Sequence, residues 1–259
     1  MAVCASPSRL SLQQVTLCAV SSVNVAATVN ALETCLHHVD FADCLLFTDV
    51  PVAAIDDRIT LIPIHRLTSA EAYSSYVLRH IADHIATSHA LIVQWDGHVL
   101  DPKRWQPQFL DYDYIGAAWP QFTDGHDVGN GGFSLRSRRL LAACQAPDFC
   151  AFHPEDVAIG RHNRAWLERQ GIRFAPQALA NQFSTERAGN LATSFGYHGV
   201  WHMPRALGMD RFWEIYCGLD ERSSLRPDFA ALVRAVWRGP SGHARALRMI
   251  ANRVADAIR

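Results

Sequence analysis

Apolar positions along the chain fall in short β-rich runs that alternate with longer stretches of helical period. The first run, Val15 to Val20 (VTLCAV), is followed by the small polar stretch Ser21 to Asn24 and a helix-like segment from Ala26 to His38. A second strand, Cys44 to Phe47, ends in Thr48-Asp49, and a third, Ile59 to Ile64, ends near His65. Ser69 to Ser88 has helical period, with Tyr73, Tyr76, Val77, His80, Ile81 and Ile85 close to one face, and leads into a strand from Ala90 to Gln94. Beyond it the pattern predicts a strand and turn at Tyr112 to Trp119, a glycine-rich loop with a short strand at Val128 to Ser137, and a helix at Arg138 to Cys144. A loop, helix and strand follow between His153 and Pro176, then a late loop at Phe195 to Pro204. Strands separated by helices of this length predict an α/β fold with a mostly parallel sheet covered on both faces. Ligands in such sheets collect at the carboxyl ends of the strands. From Asp210 the character changes to two helices broken at Gly239-Pro240-Ser241-Gly242. The chain therefore divides into a loosely ordered start (1–14), an α/β domain (15–209) and a helical extension (210–259).

Composition narrows the partners. With 259 residues, 49% of them hydrophobic, the chain buries a sizeable core without disulfides or structural metal. Its 24 basic and 25 acidic side chains leave no global basic footprint, so no nucleic-acid partner is expected. Seven cysteines, an odd number without a CxxC pair, suggest neither a zinc ribbon nor a disulfide framework and point to a reducing cytoplasm. No apolar run is long enough for a membrane span, and the opening MAVCASPSRLSLQQ has neither the basic start nor the apolar stretch of a signal peptide. Charge is nevertheless uneven, because Arg226 to Arg259 holds seven arginines against two aspartates. There Arg234, Arg238, Arg245, Arg248 and Arg253 interleave with Leu232, Val233, Val236, Trp237, Leu247, Ile250 and Val254, the pattern of an amphipathic helix at an anionic membrane surface. The same pattern also describes a helical extension packed on the core or against a second copy in a homodimer.

Four passages carry candidate chemistry. Asp96-Gly97-His98 sets a carboxylate and an imidazole two residues apart at a strand end, where the chain turns and both can reach one cation. That donor pair suits Mn²⁺ better than Ca²⁺. An isolated DxH equally describes a turn in which Asp96 accepts backbone hydrogen bonds. Gly129-Asn130-Gly131-Gly132 matches neither GK[ST] nor GxGxxG. It describes a tight turn needing positive φ, or main chain bare enough for a bulky polar ligand to approach. Glu155-Asp156 opens a helical run, as capping carboxylates or as a general base facing a pocket. His198 gains weight only where a third metal ligand is needed.

Taken in order, QWDGHVL (94–100), DYIGAAW (113–119), VGNGGFSLRSR (128–138), PEDVAIGR (154–161), FAPQALANQFSTE (174–186) and FGYHG (195–199) resemble the glycosyltransferase-like domains of domain-of-unknown-function family 5672. The resemblance spans roughly residues 15 to 205. More distantly, the same order is similar to inverting GT-A enzymes of the β1,3-galactosyltransferase and Fringe type. It implies a GT-A-like, Rossmann-type mixed sheet and a metal-dependent, inverting transfer of a hexose from a UDP-sugar to a glycan or lipid-linked acceptor. Position by position, it implies that Asp96 and His98 stand for the DxD and that His198 is the late ligand, together holding Mn²⁺ or Mg²⁺. Histidine in the third place of the DxD is a departure that removes one negative charge. Asp156 matches the base, with Glu155 beside it for the acceptor or for orienting the base. Gly131 and Gly132 match the loop lining the sugar site. The nucleotide-sugar is then expected over the strand ends, near Ser21, Ser22, Thr48, Asp49, Tyr76, Gln94 and Trp95. Two other classes remain open: a non-catalytic nucleotide- or carbohydrate-binding domain, and a metal-dependent phosphoesterase, which lacks a dense HxH or HxHxDH cluster beside Asp96. Such a protein is expected in the cytoplasm, peripheral at the inner membrane face.

Overall fold

A computed structural model describes residues 9–53 and 56–258. Of the start expected to be loosely ordered, residues 1–8 lie outside the described residues, and Leu10 onward already belongs to the first strand.

Nine strands are present among the described residues: β1 (Leu10–Val20), β2 (Val39–Thr48), β3 (Ile59–Pro63), β4 (His89–Val93), β5 (Gly97–Val99), β6 (Tyr114–Ile115), β7 (Phe133–Ser137), β8 (Ser184–Thr185) and β9 (Gly196–His198). The helices are α1 (Val25–His38), α2 (Ala70–Arg79), α3 (Arg138–Cys144), α4 (Glu155–Val157), α5 (Arg164–Arg169), α6 (Gln177–Phe183), α7 (Met203–Ala206), α8 (Met209–Cys217), α9 (Phe229–Trp237) and α10 (Gly242–Ile258). Six strands form the central sheet in the order β3-β2-β1-β4-β7-β6. The first four run parallel, β7 runs against them and β6 pairs antiparallel with β7, so only one of the six strands is reversed and the sheet is mixed and mostly parallel. A second sheet, β5-β9-β8, stands beside it.

The sequence explains these layers directly. Alternate residues of β1 supply opposite faces: Leu17 and Ala19 pack with Val29, Leu32 and Leu36 of α1, whereas Cys18 and Val20 pack with Val77, Ile81 and Ile85. A strand covered on both sides reads as a continuous apolar run, which is why VTLCAV carries no polar alternation. Edge strand β3 buries Ile59 but leaves Thr60, Leu61 and Pro63 exposed.

Two elements depart from the expected pattern. The helix expected over 69–88 ends at Arg79 and continues as one tight 3₁₀ turn, Ile81–His84. The spacing of Val77, Ile81 and Ile85 survives because all three still pack under the sheet. The strand expected before Pro176 shrinks to a single bridge between Phe174 and Tyr114. Proline at that point removes a ladder donor. The helical break at Gly239 to Gly242 lies where expected, between α9 and α10. These last helices share a core with the body: Phe212, Leu232, Val236, Ala246 and Met249 cluster with Ala27, Tyr197 and Met203.

Candidate active site

Between β1 and β4 the direction of strand order reverses, since β2 lies on the other side of β1. Crevices form at such points because the loops leaving the two strands turn apart. A cleft of about 600 Å³ occupies this position. At one end it is lined by Ser21, Ser22 and Asn24 after β1 and by Leu67 to Ala70 at the start of α2. At the other end lie Gln94, Trp95, Gly132, Glu155, Asp156 and His198. Glu221, Ser223 and Ser224, from the segment before α9, complete the wall.

Asn24 explains how that last segment is held. Its backbone adopts φ 54°, a left-handed conformation that asparagine tolerates better than most residues. Its side-chain oxygen accepts from the amides of Asp220 (2.9 Å) and Glu221 (3.0 Å), and its amide nitrogen donates to the Glu221 carbonyl (2.9 Å).

At the chemistry end, α4 points two carboxylates into different surroundings. Glu155 is buried and pairs at 3.1 Å with Arg136, whose side chain is fully buried. Arg136 also donates to Ser134 Oγ (3.0 Å). Burial opposes the arginine charge, but Tyr114 and Glu155 outweigh it and keep the guanidinium firmly protonated. Asp156 is half-buried and takes no arginine partner; its oxygens accept from the amides of Val157 (2.7 Å) and Gly131 (3.2 Å). Burial first, and then the charge of Glu155, push its pKa up to about 7, against the pull of the two amides and Arg136. A carboxylate that titrates near neutrality is suited to moving protons.

The glycine loop serves close approach rather than a turn. Gly131 and Gly132 are not among the positive-φ glycines. A Cβ on Gly132 would overlap the His198 imidazole, and one on Gly131 would press on Glu155 and Arg136. The bare main chain thus makes room for the protein's own side chains.

Asp96 and His198 come together, and His98 does not join them. Asp96 sits in the turn before β5, with its Oδ1 3.2 Å from His198 Nε2. Gln94 Oε1 lies 3.1 Å from the same nitrogen, and Glu186 Oε1 lies 3.5 Å from His198 Nδ1. Burial alone would lower the His198 pKa, but Asp96 and Glu186 hold it well above the usual histidine value. His98 pairs with Tyr197 across the β5-β9 ladder, while Gly97 pairs with His198. Directly opposed residues share a face and neighbours along a strand do not, so His98 looks away from the cleft. Its ring packs 4.8 Å from Tyr197, its Nδ1 lies 2.8 Å from the Val99 carbonyl, and its Nε2 has no partner. Burial, opposed by that carbonyl, draws its pKa down to about 4. Among the described residues no three His, Cys, Asp or Glu side chains are arranged to hold a metal ion.

Of the residues expected around the nucleotide-sugar, Ser21, Ser22, Gln94, Trp95 and Gly132 line the cleft. Thr48, Asp49 and Tyr76 do not. Thr48 Oγ1 accepts from the Val50 amide, and the Tyr76 ring packs on Phe47 and His80. Gly131 lies behind the wall, its amide spent on Asp156. Four further features were not among the expected site residues: Arg136, Glu186, the 221–224 wall, and Tyr73, which lines the cleft and accepts from Gln94 Nε2 (3.0 Å). Arg136 carried a signal, a lone charge in the strand FSLRS that demands a buried partner.

No curated protein matches the chain. The mannosyltransferase PcManGT from Pyrobaculum calidifontis, solved in complex with GDP-Man and Mn²⁺, is similar at 11% identity and a TM-score of 0.44, covering 97% of this chain and 79% of that one. Residues 57–198, more than half of the sequence and the stretch that carries Gln94, Asp96, Arg136, Asp156 and His198, match the family model described as protein of unknown function (DUF5672), and the chain belongs to that family.

Proposed function

We propose that the protein is a nucleotide-sugar-dependent glycosyltransferase of GT-A type, moving a hexose from a UDP-sugar to a hydroxyl of a glycan or lipid-linked acceptor with Asp156 as general base. The observation that carries this reading is the pairing of Glu155 with Arg136, which leaves Asp156 as the carboxylate free to take a proton at the cleft wall. Its pKa of about 7 predicts a rate that rises with pH through neutrality as the base loses its proton.

Asp96 and His198 offer a pair of donors to a divalent cation. Asp96 Oδ1 is buried with no well-directed hydrogen bond, and its close neighbour is the His198 imidazole 3.2 Å away. With His198 in its neutral form, its Nε2 and Asp96 would hold Mn²⁺ or Mg²⁺, with Gln94 Oε1 beside the same nitrogen and Glu186 on the Nδ1 side of the ring, and His98 is not part of that set. When bound there, such an ion would neutralise the diphosphate of the donor. Ser21 and Ser22 bring hydroxyls to the far end, and Trp95 and Gly132 border the space between.

Transfer or donor hydrolysis with Mn²⁺ and a panel of UDP- and GDP-sugars tests the proposal. Asp156→Asn is expected to lower turnover ~10²–10⁴-fold while donor binding, read by titration calorimetry, is retained. Retained turnover in Asp156→Asn with collapse in Glu155→Gln would reverse the choice of base. The anomeric configuration of the product, read by NMR, tests the inverting course.

A second reading, a binding domain without turnover, is favoured by one observation: His98 faces away from Asp96 and His198. Nucleotide-sugar binding with no hydrolysis and no transfer in any pairing of donor and metal would select it.

A further inference from the structure

Among the described residues, eight large hydrophobic side chains are exposed, and five of them lie together on the last two helices. Leu247, Ile250, Val254 and Ile258 of α10 are 60%, 43%, 56% and 81% exposed, and Trp237 at the end of α9 is 48% exposed. At 100° per residue, the four aliphatic residues and His243 fall within an arc of about 80°. Trp237 extends that arc, because its ring lies 4.3 Å from the His243 ring. The stripe is not the surface by which α10 joins the body. Gly242, Ala246 and Met249 make that contact, on a different face of the helix. The helix therefore has one apolar face satisfied by the core and a second left to the outside.

The surrounding charge selects what covers it. Asp210, Asp228 and Asp256 are spent on Arg245 (2.8 Å), Arg187 (2.8 Å) and Arg222 (3.3 Å). Arg226, Arg234, Arg238 and Arg248 are exposed and, among the described residues, take part in no ion pair. The only carboxylate on α10 is Asp256, and α9 has none. A second copy related by a two-fold axis would bring two arginine-rich helix pairs together, with repulsion and no unpaired carboxylate on α9 or α10 to offset it. An anionic bilayer offers both complements, acyl chains for the aliphatic stripe and headgroup charge for the guanidinium groups, with the tryptophan at the boundary level.

We propose that the outer face of α10, with Trp237, is a docking surface for anionic phospholipid membranes. The same helix braces the cleft wall, because Asp256 pairs with Arg222, which stands between Glu221 and Ser223. Membrane contact and the cleft thus share one structural support. The inference stands apart from the reaction proposed for the cleft, since binding to a bilayer needs no donor, acceptor or turnover.

Co-sedimentation of the full chain with vesicles tests it, comparing phosphatidylcholine alone with phosphatidylcholine mixed with phosphatidylglycerol. Binding is expected with the anionic vesicles only, weakening as salt is raised. Ile250→Glu and, separately, the double variant Arg234→Gln/Arg238→Gln should each lower the bound fraction about tenfold or more. Both variants alter exposed side chains, so unchanged melting temperatures confirm that they fold. Absence of binding to anionic vesicles, or equal binding to both kinds, would overturn the proposal. So would a concentration-dependent dimer in analytical ultracentrifugation that Ile250→Glu dissociates, which would assign the face to a second copy.

Discussion

Arginine serves opposite purposes at the two ends of this molecule. At the cleft Arg136 is fully buried, and every consequence of its charge is local: it fixes Glu155 and leaves Asp156 to titrate. On the C-terminal helices Arg234, Arg238 and Arg248 stand in solvent, where individual pairings are worth little and only their summed field matters. The difference teaches that burial, rather than the number of charges, decides which arginines shape chemistry.

Three changes would break or sharpen that contrast. The largest effect is expected from Arg136→Met, which strands Glu155 without its partner and should destabilise the fold by about 3–5 kcal/mol, read by urea denaturation. A comparable loss from Arg238→Met would erase the distinction, since that side chain is exposed. A smaller, pH-dependent effect is expected from Asp156→Asn. The folded pKa of about 7 lies above the unfolded value near 3.9, so the folded state holds this proton more tightly. Stability contributed by that proton is present below about pH 4 and is lost as pH rises through 7. The Asn variant should therefore gain on the parent protein between pH 5 and pH 8, on the order of a few kcal/mol, in parallel thermal melts. A difference that stays constant with pH would remove Asp156 as the titrating group. The smallest effect on ligand binding is expected at His98. Because it faces Tyr197, His98→Leu should leave Mn²⁺ and donor binding within about twofold, whereas Asp96→Asn should weaken both at least tenfold.

Much of the fold was legible in the chain because parallel strands covered on both sides leave an unmistakable trace, as in VTLCAV and CLLF. The helix of α3 and the break before α10 followed from equally local signals. Site residues were legible only where one local rule governed the side chain. Glu155 and Asp156 open a helix, one of the two readings their position allows, and both line the cleft. His98 was misplaced because its direction depends on pairing: Gly97 is already the first residue of β5, and partner β9 arrives about a hundred residues later. Asp96, one step earlier, takes its direction from the turn closed by the Gly97 amide on the Gln94 carbonyl. Glu186 and the wall at 221–224 carried no local signal, since only tertiary packing brings the first to His198 and the second to the cleft.

The side chain of Asn24 ties the final fifty residues to the shape of the cleft. A single asparagine at the start of α1 makes three hydrogen bonds to residues almost two hundred positions away, and those residues carry one wall of the cleft. A chain ending at residue 209 would leave that amide's three contacts unmet and the cleft open on one side. Exchanging the final fifty residues with those of a relative is therefore a change of pocket, and chimeras should inherit ligand preference from both parents.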